Sequence, residues 1–327
     1  MQVMKMAKKD ELFGRVIKAT VAVGSGTLHF NSEDLEIRFE VPFDDDSKPN
    51  VSTLRIFNLT KTTINRMKKG QNVTLVAGYS SDYGVIVEGK ITKIVSAYEG
   101  ADKITTISFK EGQDYSGIKV DHKTADDPKK YYVKKRIKLA KPIKTLIVGK
   151  NGRKYTQTVT TKTVKEAQWK KQTLNITFGK NTTAMTIIKR LTGVLGIKLA
   201  ELNLPKNKVY KSGFKVTGKI ESKLLTVVKD CGAAMYWRKG KMVIRSIEVG
   251  NDERFTLKEA TGLIEAPSEY EDEDVKGYSV RCLLQHRIST ASIITIDSKT
   301  AKGKYRARKG KHYYDGNDFL TEFEVIA

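Results

Sequence analysis

The chain has 327 residues, room for two or three domains, and its 39% hydrophobic residues are enough for packed cores. A mean hydropathy of −0.42, 30% charged residues and no run of eighteen apolar residues exclude a helical membrane span. The net charge of +23 is unevenly spread, with 18 Lys/Arg against 4 Asp/Glu between Lys119 and Lys180, or +14, so that segment should face an anionic partner.

The first residues, MQVMKMAKKDELFG, lack an apolar core, so no secretory signal is expected. Cys231 and Cys282 are far apart in apolar contexts and read as buried thiols of a reducing compartment.

In chain order, Arg15 to Phe43 reads as two strands, RVIKATVAV and LEIRFEV, around a Gly24-Ser25-Gly26 turn. Asp44-Asp45-Asp46 lacks the alternating oxygens, Gly and distant Glu of a calcium loop and reads as a solvated loop. From Asn50 to Ile94 the apolar residues alternate, break for one short helix, and alternate again. Thr60 is the expected N-cap, and Gly70 the stop, of a helix over Thr60 to Lys69. That helix exposes Lys61, Arg66, Lys68 and Lys69 and has little apolar surface, so it is expected to touch a neighbour. Lys103 to Lys110 adds a further strand, and the whole pattern fits an antiparallel barrel or sandwich.

Residues 113–173 are rich in Lys, Thr and Tyr. Tyr132 to Ala140 sets Lys134, Arg136 and Lys138 on one face against Val133, Ile137 and Leu139 on the other. The Asn151-Gly152 pair, between Leu146–Val148 and Tyr155–Val159, predicts a hairpin whose turn carries Lys150 and Arg153. We therefore expect a basic β-hairpin insertion. Tyr131, Tyr132, Tyr155 and Trp169 interleave with its cations, as on single-strand-binding surfaces, which makes a basic nucleic-acid-binding β protein the alternative reading. The excess of Lys over Arg favours diffuse electrostatics over base reading. An acidic protein neighbour is the favoured partner, and the chain itself carries an acidic run at Glu269 to Asp274, read as a loop.

Residues 174–250 predict a small α+β domain. One helix, capped by Thr182 or Asn181, ends at Gly196; a second, capped by Ser222, ends at Gly232; and a hairpin turns at Arg238 to Lys241. Residues 251–327 return to strands and predict a second β domain resembling the first. The expected fold is thus mainly β with an α+β part, over segments 1–112, 113–173, 174–250 and 251–327.

Catalytic, cofactor-binding and metal-ligating residues are all expected to be absent. His29, His122, His286 and His312 have no partners at ligand spacing and read as surface or turn residues. Gly149-Lys150 and Gly240-Lys241 lack the rest of a phosphate loop, and no G-x-S-x-G occurs.

The stretch LRIFNLTKTTINRMKKGQNVTLVAGYSSDYGVIVEGKI resembles the first tube-like domain of phage tail and baseplate hub proteins, the late control protein D-like hubs. TAMTIIKRLTGVLGIKLAELNLPKNKVYKSGFKVTGKIESKLLTVVKDCGAAMYWRKGKMVI is similar to their small α+β domain. TGLIEAP, YSVRCLL and IITIDSKTAKGKYRARKGKHYYDGNDFLTEFEV follow in the order of their closing strands. The resemblance covers nearly all the chain except Lys123 to Thr173, and its motifs are strand, turn and Gly placements rather than catalytic signatures. It implies two tube-like antiparallel β-barrel domains per chain and a homotrimer whose six barrels form a ring. The implied partners are a tail tube or distal tail protein above, a spike or tip protein below, other baseplate proteins and the tape measure protein, with DNA only in transit. It implies a structural role in the virion after assembly in the bacterial cytoplasm, with no lysin expected on a chain ending at the second barrel. A phage and a bacteriocin-like particle remain equal readings.

Overall fold

The computed structural model describes residues 12–24, 26–112, 115, 117–119, 129–170, 176–272 and 275–327; for 129–133, 166–170, 272 and 275 it describes the backbone alone. The expectations for Ser25, His122, Glu273, Asp274 and the flanks of 113–173, and for the side chains of Tyr131, Tyr132 and Trp169, lie outside the described residues. The chain divides into two compact units. One comprises Met1–Gly117, Phe178–Phe214 and Ile220–Ala327; the other comprises Ile118–Thr177 and Lys215–Lys219.

The first unit begins with β1 (Arg15–Val23), β2 (Gly26–Asn31), β3 (Ile37–Phe43), β4 (Val51–Phe57), α1 (Lys61–Arg66), β5 (Asn72–Tyr79), β6 (Asp82–Glu99) and β7 (Asp102–Lys110). Alternation does what it should: Ile17, Ala19, Val21 and Val23 of β1 are all buried, with half-buried and exposed residues between them. One strand, β2, falls where only a turn was expected. Its apolar signal is just Leu28 and Phe30, but a full antiparallel ladder with β1 from Val23↔Gly26 to Lys18↔Asn31 secures it. The helix is also shorter than expected. Thr60 caps it, its hydroxyl accepting the Thr63 N–H at 3.2 Å, but Met67 is extended and buried, so Lys68 and Lys69 lie beyond its end. Drawing Met67 into the core stops the helix before Gly70.

The second unit contains β8 (Lys129–Val148) and β9 (Lys154–Lys170), paired antiparallel as a two-stranded ribbon.

Back in the first unit come β10 (Ile176–Phe178), β11 (Thr182–Thr183), α2 (Ala184–Leu195), β12 (Leu199–Leu202), β13 (Val209–Tyr210), β14 (Phe214–Val216), α3 (Ile220–Asp230), β15 (Ala234–Arg238) and β16 (Lys241–Arg245), although β10 and β14 each straddle a unit boundary. The cap of α2 is Thr183, one residue later than expected, and Gly196 ends the helix at φ 73°. The helix α3 starts at Ile220 rather than after Ser222, which places Ile220 and Leu224 on its buried face. Against these helices β12 runs parallel to β16, and β15 antiparallel to it.

The last strands are β17 (Asn251–Leu257), β18 (Ser268–Asp272), β19 (Val275–Leu283), β20 (Ser292–Asp297), β21 (Lys302–Tyr314) and β22 (Phe319–Ile326). The described part of the acidic run, Glu269 to Asp272, is therefore in strand β18 rather than a loop, paired to β19 from Ser268↔Ser279 to Asp272↔Val275. Charged side chains are what an edge strand tolerates.

The N- and C-terminal strands form one continuous sheet in the order β18-β19-β22-β21-β3-β4-β7-β6-β5-β1-β2, with β20 pairing β21 and β17. The seam is β21 against β3, from Gly310↔Phe43 to Tyr314↔Phe39. This path is open. Among the described strands, no pairing joins β2 to β18 and none closes either half on itself. Two apolar cores nevertheless lie along it, and each borrows from the other half. The N-terminal core takes Leu284 and Phe319, and the C-terminal core takes Phe43. Phe319 meets Phe39, Tyr79 and Tyr314 edge-on, with ring centroids 6.2, 5.5 and 5.7 Å away.

Arg238 ties the α+β part to the C-terminal strands. Its guanidinium donates to the Thr290 carbonyl at 2.7 Å and the Ser292 hydroxyl at 3.2 Å, and pairs with Glu253, both side chains being only 14% exposed. Removing one member of a buried pair strands the other. Arg238→Ala should cost about 3–5 kcal/mol in denaturant unfolding, and Arg238→Met with Glu253→Gln should recover much of that loss.

Candidate interaction surfaces

The nine residues expected to meet partners are all exposed, and they fall into two groups on different units. Lys61 and Arg66 sit on α1, with Lys68 and Lys69 in the turn that follows. The amide of Gln71 holds that turn, accepting from the Lys68 N–H at 2.6 Å and donating to the Arg66 carbonyl at 3.2 Å. The other five lie on the ribbon. Lys134, Arg136 and Lys138 stand opposite Lys165, Thr163 and Thr161, so one face of the ribbon's stem carries all three cations together with Lys165. Lys150 and Arg153 flank the turn, where the Asn151 side chain accepts the Arg153 N–H at 3.3 Å and the Gly149 N–H donates to the Arg153 carbonyl at 2.8 Å.

Periodicity alone could not anticipate the shape of this ribbon. The register slips between Lys138 and Ile143, where Pro142 has no N–H to give the ladder. Beyond the slip, Ile143 faces Val159 and Ile147 faces Tyr155. Apart from half-buried Ile147 these are exposed, with Ile143 and Tyr155 each at 55%.

The first unit also contains a buried polar junction where its strands and its α+β part meet. Here two expectations fail. Asp44-Asp45-Asp46 is structural rather than merely solvated: the Asp44 carbonyl accepts from the Thr290 hydroxyl at 2.8 Å and Asp45 pairs with Arg306 at 3.1 Å. His312, expected at the surface, is buried, its ring bridging the Thr321 hydroxyl at 2.8 Å and the Ile288 carbonyl at 2.9 Å. A carbonyl only accepts, so Nε2 carries the hydrogen and Nδ1 accepts from Thr321. Burial pushes His312 down to about 3, helped by the nearby Lys239 charge. His286 is half-buried, 3.7 Å from Asp82, while His29 alone of the described histidines is exposed as expected.

Around the β15–β16 turn, the Trp237 indole donates to the Ser47 carbonyl at 3.0 Å. The indole lies so close to Gly112 that a Cβ there would collide with it. Beside this contact Glu111 is buried, and its Oε2 has no hydrogen-bond partner among the described residues. Burial, and then the Asp44 charge, push Glu111 up to about 8, against one hydrogen bond from the Gly240 backbone. Lys239, in the same turn, is pushed down to about 8 by burial and then by Arg238. In each of these groups burial favours the neutral form. Among the described residues, no three His, Cys, Asp or Glu side chains gather as a metal site, and no helix is long and apolar enough to cross a membrane.

No protein-family model matches the sequence, and no curated protein matches it. Solved structures do match in three dimensions. The chain shares the fold of phage tail proteins. The 43 kDa tail protein of prophage MuSo2 from Shewanella oneidensis is 9% identical, with a TM-score of 0.56 over 94% of this chain and 96% of its own. The tail protein of Neisseria meningitidis MC58 is 10% identical, with a TM-score of 0.55 over 96% of this chain and 97% of its own. The likeness is one of fold, over nearly the whole of both chains.

The Glu111 carboxyl gives a pH test. Its folded value lies above the usual 4.5, so its contribution to stability is full below about pH 4.5 and is lost as pH rises towards 8. Glu111→Gln should therefore gain on the wild type by about 2–4 kcal/mol between about pH 5 and pH 8.5 in denaturant unfolding. A constant difference across that range would refute the assignment.

Proposed function

We propose that this chain is the structural hub of a phage or phage-like tail. Three copies would form a ring of six related half-units, joining the tail tube or distal tail protein to the spike or tip and lining the channel through which DNA passes. The observation that carries this reading is the fold shared with two tail proteins from end to end, combined with two apolar cores on one sheet. Segments 1–112 and 251–327 are the two tube-like, ring-forming halves, 174–250 is the small α+β domain between them, and 113–173 is a basic arm. The role is structural, without catalysis. The protein assembles in the bacterial cytoplasm, resides in the virion baseplate, and meets other baseplate proteins and the tape measure.

In this reading the exposed cations of α1 and its turn, Lys61, Arg66, Lys68 and Lys69, contact a neighbouring subunit. Lys134, Arg136, Lys138, Lys150 and Arg153 of the arm contact an acidic component of the assembly. The reading differs from nucleic-acid binding, which the charge of the arm also favours, in what a gel shift shows. A dedicated binder would retain DNA strongly and lose it steeply with salt, whereas the hub should retain it weakly.

Light scattering of the purified chain should give a trimer, or a monomer that becomes a trimer on adding the tube or spike protein. A stable dimer would contradict the ring.

A further inference from the structure

The ribbon β8–β9 is the least self-sufficient element of the chain. Two-stranded ribbons are marginal alone in water, and among the described strands both its outer edges are unpaired. One of its faces has two parts. The stem presents Lys134, Arg136, Lys138 and Lys165. Strand parity along β9 then puts the outer pairs Ile143↔Val159 and Ile147↔Tyr155 on that same face. A surface that is cationic at one end and apolar at the other calls for a counterpart that is anionic at one end and apolar at the other. The phosphate backbone of a nucleic acid offers the first half of that match and not the second.

The chain itself carries such a counterpart. From Glu259 to Asp274 there are seven acidic residues and no Lys or Arg, in a protein whose net charge is +23. By contrast, Lys129 to Lys170 holds fourteen Lys/Arg and one acid, Glu166. The acidic strip opens with the 3-10 turn Glu259–Thr261 and ends on β18, the last strand of the sheet path. Beside the turn lies an open groove of about 900 Å³, lined by Leu263, Ile264 and Ala266 with Glu259, Glu265, Asp297 and Ser298 beside them. Ile264 is 46% exposed. Lys258 and Lys299 share the rim, and Glu271 on β18 pairs with Lys276 at 3.2 Å, while Glu269 and Glu265 are exposed.

We propose that the arm of one copy seats on this strip of a second copy. Lys134, Arg136 and Lys138 meet Glu265, Glu269 and Glu271, while the Ile143, Ile147, Tyr155 and Val159 end covers Ile264 and the groove floor. Among the described strands the outer edge of β18 is unpaired, and it offers backbone groups to which an arm strand can add. The inference rests on the hub reading, because it requires copies held side by side, and it names the acidic neighbour of the arm as the chain itself. Apolar contact supplies affinity, and the charge match sets orientation and partner choice.

The test is a charge swap in the full chain. One variant carries Lys134→Glu, Arg136→Glu and Lys138→Glu; the other carries Glu265→Lys, Glu269→Lys and Glu271→Lys. All six side chains are exposed, so both variants should keep the wild-type circular dichroism and melting temperature. In sedimentation velocity, each variant alone should self-associate at least about tenfold more weakly than wild type, and mixing the two should restore association. An arm variant that assembles like wild type would overturn the contact and leave the ring standing. A folded pair that fails to rescue would overturn the strip as the seat. A wild-type chain that stays monomeric at every concentration, with its tube and spike partners added, would instead count against the ring itself. With Ile143→Cys and Ile264→Cys together, disulfide cross-links should form between chains; exclusive cross-linking within one chain would overturn the trans arrangement.

Discussion

Strand β21 lies along β3, and that ladder joins strands about 270 residues apart in the chain into one sheet. Five cross-strand pairs connect the halves, and side chains cross the seam in both directions. Phe43 leaves the end of β3 for the C-terminal core, while Phe319 and Leu284 enter the N-terminal one. Each half therefore lacks part of its own interior. On the other side of β21, Gly310 lets β22 come close, since a Cβ there would run into the Glu322 carbonyl and Phe323. It also follows the register slip after Ala307, which lets one strand serve both β3 and β22. A module split in this way folds as one piece or not at all.

The polar junction follows from that constraint. Where two cores and an α+β part meet, backbone ends and loop carbonyls become buried and need partners. Thr290 serves Asp44, Trp237 serves Ser47, Arg306 serves Asp45, and Arg238 serves Thr290, Ser292 and Glu253 together. All four of these side chains come from the C-terminal third, and three of the groups they satisfy, on Asp44, Asp45 and Ser47, lie in the loop after β3. Glu111 is one exception, a buried carboxyl with one oxygen unsatisfied among the described residues, and it stays neutral because ionising in a buried site beside Asp44 is costly.

Elements whose own residues alternate or cap were legible in the sequence. The burial of β1, β4 and β5 follows their apolar period, and Thr60, Gly196 and Asn151-Gly152 mark the helix ends and turn as physical chemistry requires. What was not legible depends on distant partners. Nothing local distinguishes His312 from a surface histidine, because Thr321 and Ile288 become its partners only after β21 and β22 pair. The aspartate triplet looks like a solvated loop until Arg306 arrives, 261 residues on. Strand β18 is too polar to announce itself and exists because β19 offers it a ladder. For the interaction surfaces, charge located the arm, but only the register around Pro142 put apolar and cationic residues on one face.

Native-state hydrogen exchange of the amides in β3 and β21 tests the central claim most directly. If the seam makes the two halves one cooperative unit, these amides exchange only by global unfolding, with the same free energy as those of β5 and β22. Earlier exchange of β3 and β21, with either half still protected, would show two separable domains and contradict the account.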